Sequence, residues 1–234
     1  MDNLIRLDKF LSSQLNISRT DAKKLIRQNR ISLSSEKPVR PETLISVNTD
    51  SVYYDGALIK YKRFVYIAQN KPCGVVSASN DAGMTVIDIL PEHLKRQGLF
   101  PAGRLDKDTT GFVLITDDGE FAHDILSPAR HVKKTYIAVL SREVTDSEAL
   151  CVTSGMTIGN EKLKPAELKK TGDKTYEIVL TEGRYHQIKR MFMSFNNPVQ
   201  SLHRTKIGSL RLPPDLKPGE SRELTAEEKE LITE

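Results

Sequence analysis

The apolar positions change period several times along the chain, and each change marks an element. Leu4, Leu7, Leu11 and Leu15, with Ile5 and Phe10 beside them, recur at helical spacing and predict one amphipathic helix. Ser18 followed by Asp21 reads as a capping-box-like start for a second helix running to about Gln28, with Ala22, Leu25 and Ile26 on its apolar face. Ile31 to Leu33, Leu44 to Val47 and Val52 to Tyr54 predict short strands separated by polar turns. Gly56 to Lys62 reads as a polar bridge, which places a domain boundary after Lys62 and divides the chain into residues 1–62 and 63–234.

Beyond the bridge, Arg63 to Gln69 predicts a strand, Thr85 to Leu90 a short helix stopped by Pro91, and Phe112 to Ile115 a strand buried on both faces. Helices are expected over Glu120 to Leu126, Asp146 to Thr153, Tyr185 to Phe195 and Ala226 to Ile232, with extended segments over Thr135 to Leu140, Thr175 to Leu180 and Val199 to Leu210. Strands and helices mixed without a βαβ rhythm predict an α+β fold: a small N-terminal αβ domain, then a larger domain with a largely antiparallel mixed sheet flanked by helices.

Charge separates the same two parts. Residues 1–63 carry 12 Lys and Arg against 7 Asp and Glu, so the whole positive excess of the chain, net +4, is N-terminal. A small basic module on a nearly neutral body implies an anionic macromolecular partner, nucleic acid before membrane. No apolar run reaches membrane-span length and the start lacks a signal-peptide pattern, which leads us to expect a cytoplasmic protein. Cys73 and Cys151 lie far apart and are expected to be buried thiols, and the histidines show no metal-ligand spacing.

Candidate chemistry concentrates in Gly103 to Gly119, GRLDKDTTGFVLITDDG. Arg104, Asp106, Lys107 and Asp108 sit on a loop that feeds the buried strand, between Gly103 and Gly111, where the backbone can take positive φ or approach a ligand closely. The spacing imitates a calcium loop, but its twelfth position is Asp117 where a bidentate Glu is usual, and a buried strand replaces the exiting helix. A phosphate-binding loop is excluded because no GK[ST] follows the glycines. Taken alone, the two aspartates also read as turn formers with Arg104 as a surface partner.

The loop does not stand alone. NKPCGVVS at Asn70, KKTYIAV at Lys133, IVLTEGRYHQIKRMF at Ile178 and LHRTKIGSLRL at Leu202 accompany it, and the set resembles, in order and spacing, the motifs of the pseudouridine synthases. It is similar to the branch typified by the ribosomal small-subunit enzyme. The N-terminal run RLDKFLSSQLNISRTDAKKLIRQNRISL, followed by VRPETLI and the Asp55-Gly56 turn, resembles the RNA-binding domain named for ribosomal protein S-four. In that family two helices and the turn between them dock on folded RNA, so Arg6, Lys9, Arg19, Lys23, Lys24, Arg27 and Arg30 are implied as phosphate contacts.

The resemblance implies an isomerase that converts uridine to pseudouridine in small-subunit ribosomal RNA, with Asp106 as the catalytic aspartate. A large-subunit synthase of the same branch is the alternative, and a non-catalytic assembly factor on the same fold is a reading of a different class. Lys189 is implied as the cationic partner of Asp106, with Arg184 second, Tyr136 as the ring that stacks on uracil, and Leu180 as pocket lining. Arg104 is implied to fill the gap left by a flipped nucleotide or to hold its phosphate. His186 reads as scaffolding, and Lys133 and Lys134 as strand-end lysines within reach of RNA phosphates. Because the reaction is an isomerisation, no cofactor or metal is implied. The expected partner is ribosomal RNA or a partly assembled small subunit, engaged by a monomer.

Overall fold

A computed structural model describes residues 4–35, 37–127 and 129–233, and divides the chain into two units. The first runs to Phe64 and also takes in Lys95–Gly98; the second comprises Val65–Leu94 and the chain from Leu99 onward. Arg96 fastens the returning segment of the first unit, donating to the carbonyl oxygens of Lys62 and Arg63 at 2.9 and 3.0 Å.

In the first unit, β1 (Leu4–Arg6) precedes α1 (Leu7–Leu15) and α2 (Arg19–Arg27), followed by β2 (Ile31–Leu33), β3 (Leu44–Ser46), β4 (Val52–Tyr54) and β5 (Ala57–Ile59). The helix expected from Leu4 therefore starts three residues late. Leu4 to Arg6 pair antiparallel with Leu44 to Ser46, and the first helical N–H groups of Leu7 and Asp8 donate to the carbonyls of Thr43 and Pro41 at 2.8 and 3.0 Å. External acceptors for these donors stabilise a helix start at Leu7 and an extended segment before it. Ser18 caps α2 as expected, its hydroxyl accepting the Asp21 N–H at 3.0 Å. The segment read as a polar bridge contains β5, which pairs with β4 across a two-residue turn of Asp55 (φ 48°) and Gly56 (φ 82°). Leu7, Phe10, Leu11, Ala22, Ile26, Ile31, Ile45 and Val52 form the core of this unit.

The second unit is built on a sheet of nine strands among the described residues. In chain order it contributes β6 (Tyr66–Lys71), β7 (Phe100–Pro101), β8 (Thr110–Thr116), α3 (Gly119–Leu126), β9 (Lys134–Leu140), α4 (Asp146–Ser154), β10 (Thr157–Ile158), β11 (Glu161–Lys162), β12 (Glu167–Gly172), β13 (Thr175–Leu180), α5 (Gln187–Met193), β14 (Val199–Ile207), β15 (Leu210–Arg211), β16 (Ser221–Glu223) and α6 (Ala226–Glu230). The main path is β12-β13-β9-β14-β8-β6-β16, and its one parallel pairing among the described strands is β14 with β8. The fold is α+β with a largely antiparallel mixed sheet and helices packed on it, as the alternation of periods predicts.

β8 is central, and its alternate residues feed two cores. Val113 and Ile115 pack with Ile178, Ile188, Met191 and Phe192 on one face, and Phe112 and Leu114 with Ala122 and Ile125 on the other. Caps fix the flanking helices: Asp118 accepts the Phe121 N–H at the start of α3, and Thr145–Glu148 and Thr225–Glu228 form capping boxes on α4 and α6. The helix expected over Thr85 to Leu90 is instead a short turn. Thr85 and Asp88 exchange side-chain and backbone hydrogen bonds as a capping box does, but Pro91 follows before a second turn can close. The two cysteines expected to be buried are both free and exposed.

Candidate active site

The site grows from the point where β8 is entered. Parallel pairing brings Arg204 of β14 against Gly111 of β8, and a Cβ at Gly111 would lie 2.3 Å from the Arg204 carbonyl oxygen and 2.8 Å from its nitrogen. Gly111 (φ 101°) is thus required by strand contact and not, as the sequence allowed, by a ligand. Upstream, the loop from Gly103 to Thr109 is pinned from below. The Lys71 ammonium is fully buried and donates to the carbonyls of Pro72, Lys107 and Thr109 at 3.1, 3.1 and 2.7 Å. Burial lowers the Lys71 pKa to about 8. The Gly74 N–H also donates to the Lys107 carbonyl at 2.8 Å, and the Leu105 N–H to the Ser77 hydroxyl at 3.1 Å.

This pinned loop presents Asp106 to a cavity of about 640 Å³. Its carboxylate meets two groups from the start of α5: Lys189 Nζ lies 2.9 Å from Oδ2 and His186 Nε2 lies 3.2 Å from Oδ1. Lys189 also pairs with the exposed Asp108, so one ammonium spans both carboxylates of the loop. Burial acts to lower the Lys189 pKa, but its hydrogen bonds to Asp108 and Asp106 outweigh that effect and raise it. The bond from Lys189 in turn lowers the pKa of Asp108. His186 reaches Asp106 from a left-handed backbone (φ 48°, ψ 36°), and its ring stacks on Tyr185 with centroids 3.8 Å apart. That conformation also delays the helix expected from Tyr185, which starts at Gln187.

Arg104, Tyr136, Leu180, Arg184 and Lys189 all line the cavity with Asp106. Arg184 does not partner Asp106: its Nε lies 3.4 Å from Glu182 and 3.6 Å from Glu161. Buried Glu182 also accepts from the Lys164 N–H and from Gln187, which fixes the loop leading into α5. Tyr136 and Leu180 are buried, on the adjacent strands β9 and β13. Lys133 pairs with Glu167, whereas Lys134 is buried at the cavity wall and not at a solvated strand end.

Four residues at or beneath the cavity were given no part in its chemistry by sequence reasoning: His186, read as scaffolding, Asp108, read as a turn former, and Lys71 and Arg204. Two of them carried a readable signal. Arg204 occupies the inward phase of the β14 alternation two residues after buried Leu202, and Lys71 ends the continuous buried run of β6. A charged residue in a buried phase implies a specific partner.

In the first unit, the basic residues fall into two groups. Arg6 is bound to the Asp8 carboxylate through two hydrogen bonds of 3.1 Å, and Arg30 to Asp55. Arg19, Lys23, Lys24 and Arg27 lie exposed on α2, and Lys9 is exposed on α1. No group of three metal-ligating side chains occurs among the described residues, and no described helix is long and apolar enough to cross a membrane.

Comparison with known proteins covers nearly the whole chain. Residues 65–194 match the model of the RNA pseudouridylate synthase family. The chain is 42% identical over 228 residues to ribosomal small subunit pseudouridine synthase A of Escherichia coli (strain K12), covering 96% of this chain and 98% of that protein. It is 39% identical to the uncharacterized RNA pseudouridine synthase YtzG of Bacillus subtilis (strain 168), covering 98% of this chain and 99% of that one. A crystal structure of a pseudouridylate synthase superposes with a TM-score of 0.69 at 38% identity, covering 97% of this chain and 99% of that chain. With family model, near full-length relatives and fold in agreement, the chain belongs to the RNA pseudouridylate synthase family.

Proposed function

We propose that this chain isomerises one uridine of small-subunit ribosomal RNA to pseudouridine, with Asp106 as the catalytic carboxylate. The observation that carries the reading is the electrostatic setting of Asp106. It is the one carboxylate among the described cavity-lining residues, held by Lys189 at 2.9 Å and His186 at 3.2 Å in a wall otherwise rich in cations. The likeness to the Escherichia coli small-subunit enzyme supports the choice of RNA.

The chemistry suits that setting. Breaking the bond between uracil N1 and ribose C1′ sends the bonding pair to the base and leaves C1′ electron-poor. The carboxylate either adds an oxygen to C1′ or takes the 2′ proton to give a glycal. The freed uracil turns, C5 bonds to C1′, the carboxylate is released unchanged or returns the proton, and the C5 proton is lost as N1 gains one. The net change is an isomerisation without an oxidant or an acceptor. Tyr136 supplies the ring against which uracil stacks, Leu180 an apolar wall, and Arg104, exposed at the cavity, a contact for the phosphate of the extruded nucleotide. Lys189 keeps the carboxylate aimed, and Arg184 acts in this role only indirectly, by ordering the segment before α5 through Glu182 and Glu161.

The first unit is assigned to docking on folded ribosomal RNA, free or in a partly assembled small subunit. Arg19, Lys23, Lys24, Arg27 and Lys9 are the phosphate contacts, with Arg6 and Arg30 shaping the surface through Asp8 and Asp55. The enzyme acts as a monomer in this reading. Mapping pseudouridine in ribosomal RNA from cells lacking the protein tests the proposal. One missing site in the small-subunit RNA is the expected result; a site lost from the large-subunit RNA, or none lost, rejects the assignment.

A further inference from the structure

Two cations of the cavity wall, Arg204 and Lys134, take no part in the proposed reaction steps. Arg204 is 2% exposed and Lys134 8%, and both line the cavity. Their hydrogen-bond acceptors are neutral. Arg204 Nε donates to the Phe112 carbonyl at 2.7 Å and Nη1 lies 3.5 Å from the Tyr136 hydroxyl, while Lys134 Nζ donates to the carbonyls of Val132 and Ile125 at 3.1 and 3.5 Å. Arg204 Nη2 is buried without any acceptor. No ion pair joins either cation to a carboxylate among the described residues. Burial, and then the charge of Arg204, lower the Lys134 pKa to about 8.

Two buried cations without a counter-charge are costly in the folded state, and a buried donor without an acceptor adds to that cost. Such an arrangement is offset when an anion arrives between them. The phosphates of RNA are poor candidates, because phosphate contacts belong to solvent-facing side chains and these two cations are buried, the Arg204 guanidinium lying 5.9 Å from the centroid of the Tyr136 ring. The group that reaches this depth in the proposed reaction is the base.

We propose that Arg204, seconded by Lys134, stabilises the uracil anion formed when the N1–C1′ bond breaks. The electron pair of that bond passes to N1 and is shared with the O2 and O4 carbonyl oxygens, so negative charge develops on a ring stacked at Tyr136. It is consumed when C5 bonds to C1′ and the proton balance is restored. The fixed cations are complementary to the cleaved state more than to the neutral bound base, and so accelerate cleavage instead of only tightening binding. The Nε bond to Phe112 holds the guanidinium in place before the charge appears.

The inference rests on the proposed function, and a leaving-group comparison tests it separately. Fluorine at C5 withdraws electrons and makes uracil a better leaving group, so cleavage of 5-fluorouridine depends less on anion stabilisation. Transcripts carrying uridine or 5-fluorouridine at the mapped position are reacted in single turnover with the full chain, and disappearance of the starting nucleoside is followed. Arg204→Met is expected to slow uridine cleavage about 100-fold and 5-fluorouridine cleavage about tenfold. RNA affinity should be unchanged, Lys134→Met should show the same selectivity at smaller size, and Arg204→Lys should recover part of the loss. Circular dichroism identifies folded variants, and Lys134→Met decides if Arg204→Met fails to fold. Equal losses on both substrates in the folded variants would overturn the inference while leaving the function intact. A wild-type chain that converts no uridine would instead overturn the function itself.

Discussion

Removing the Lys71 ammonium should separate the stability of the fold from the positioning of its reactive loop. In Lys71→Met the donor to Pro72, Lys107 and Thr109 is lost, and each charge-assisted bond of this kind is worth about 1.5–3 kcal/mol. Lys107 O keeps the Gly74 N–H at 2.8 Å, so the bond to Thr109, at 2.7 Å, is the principal loss. Against this stands the cost of burying the charge. A fall from 10.5 to about 8 corresponds to about 3 kcal/mol against the protonated folded state, which Met does not incur. The terms nearly cancel, and global stability should change by less than about 2 kcal/mol. Asp106 immediately precedes Lys107 and lies three residues before Thr109, whose carbonyls both lose the ammonium, however, and a shift of about 1 Å at a reacting group can cost about 100-fold in rate. Urea titration should therefore give a midpoint near wild type, while single-turnover pseudouridine formation drops about 100-fold. A folded variant within about threefold of wild-type activity would refute the positioning argument, and a stability loss above about 5 kcal/mol would refute the cancellation.

Gly111→Ala places a methyl 2.3 Å from the Arg204 carbonyl at a φ of 101°, and should destabilise the second unit by more than about 3 kcal/mol in thermal melts. For buried Lys134, the unfolded chain (pKa near 10.5) holds more protons than the folded one (about 8) between those values, so its contribution to stability rises with pH across that window. Wild type should gain stability relative to Lys134→Met as pH rises from 8 to 10.5, as read from denaturant midpoints. Neutralising Arg19, Lys23, Lys24 and Arg27 together should weaken RNA binding and flatten its logarithmic salt slope by about 0.7–0.9 per lost phosphate contact, measured by filter binding across a salt series. The same substitutions on Arg6 or Arg30 should alter the slope less, since each is already paired.

What the sequence reveals follows from how local each determinant is. The buried strand around Phe112 to Ile115 and the capped start of α2 are legible because both depend on neighbouring residues alone. Leu4 to Arg6 misleads because its helical period is real, but its hydrogen-bond partners lie some 40 residues away on β3. The polar segment after Gly56 hides β5 for the same reason, since its ladder is formed with β4. At the site, a resemblance in motifs brings Asp106, Tyr136, Leu180 and Lys189 to notice, and the cavity does gather them. It does not reveal that Lys189 spans Asp108 as well, that His186 turns through a left-handed backbone onto Asp106, or that Arg184 is held by Glu161 and Glu182. Those contacts join loops distant in sequence, and no single motif encodes them. Likewise, Gly111 looks like a ligand-approach glycine until the parallel neighbour Arg204 is in place.

Catalysis in this mechanism depends on the Asp106 carboxylate, and the Asp106→Asn variant removes it alone. Asn preserves size and keeps one acceptor oxygen for Lys189, with its amide NH2 in place of the second oxygen beside His186, so the fold and RNA affinity should be retained. It cannot serve as the carboxylate that captures C1′ or takes the 2′ proton, and single-turnover pseudouridine formation should fall by at least about 1,000-fold. Binding unchanged with turnover abolished is the predicted result; substantial pseudouridine formation by Asp106→Asn would contradict the central claim.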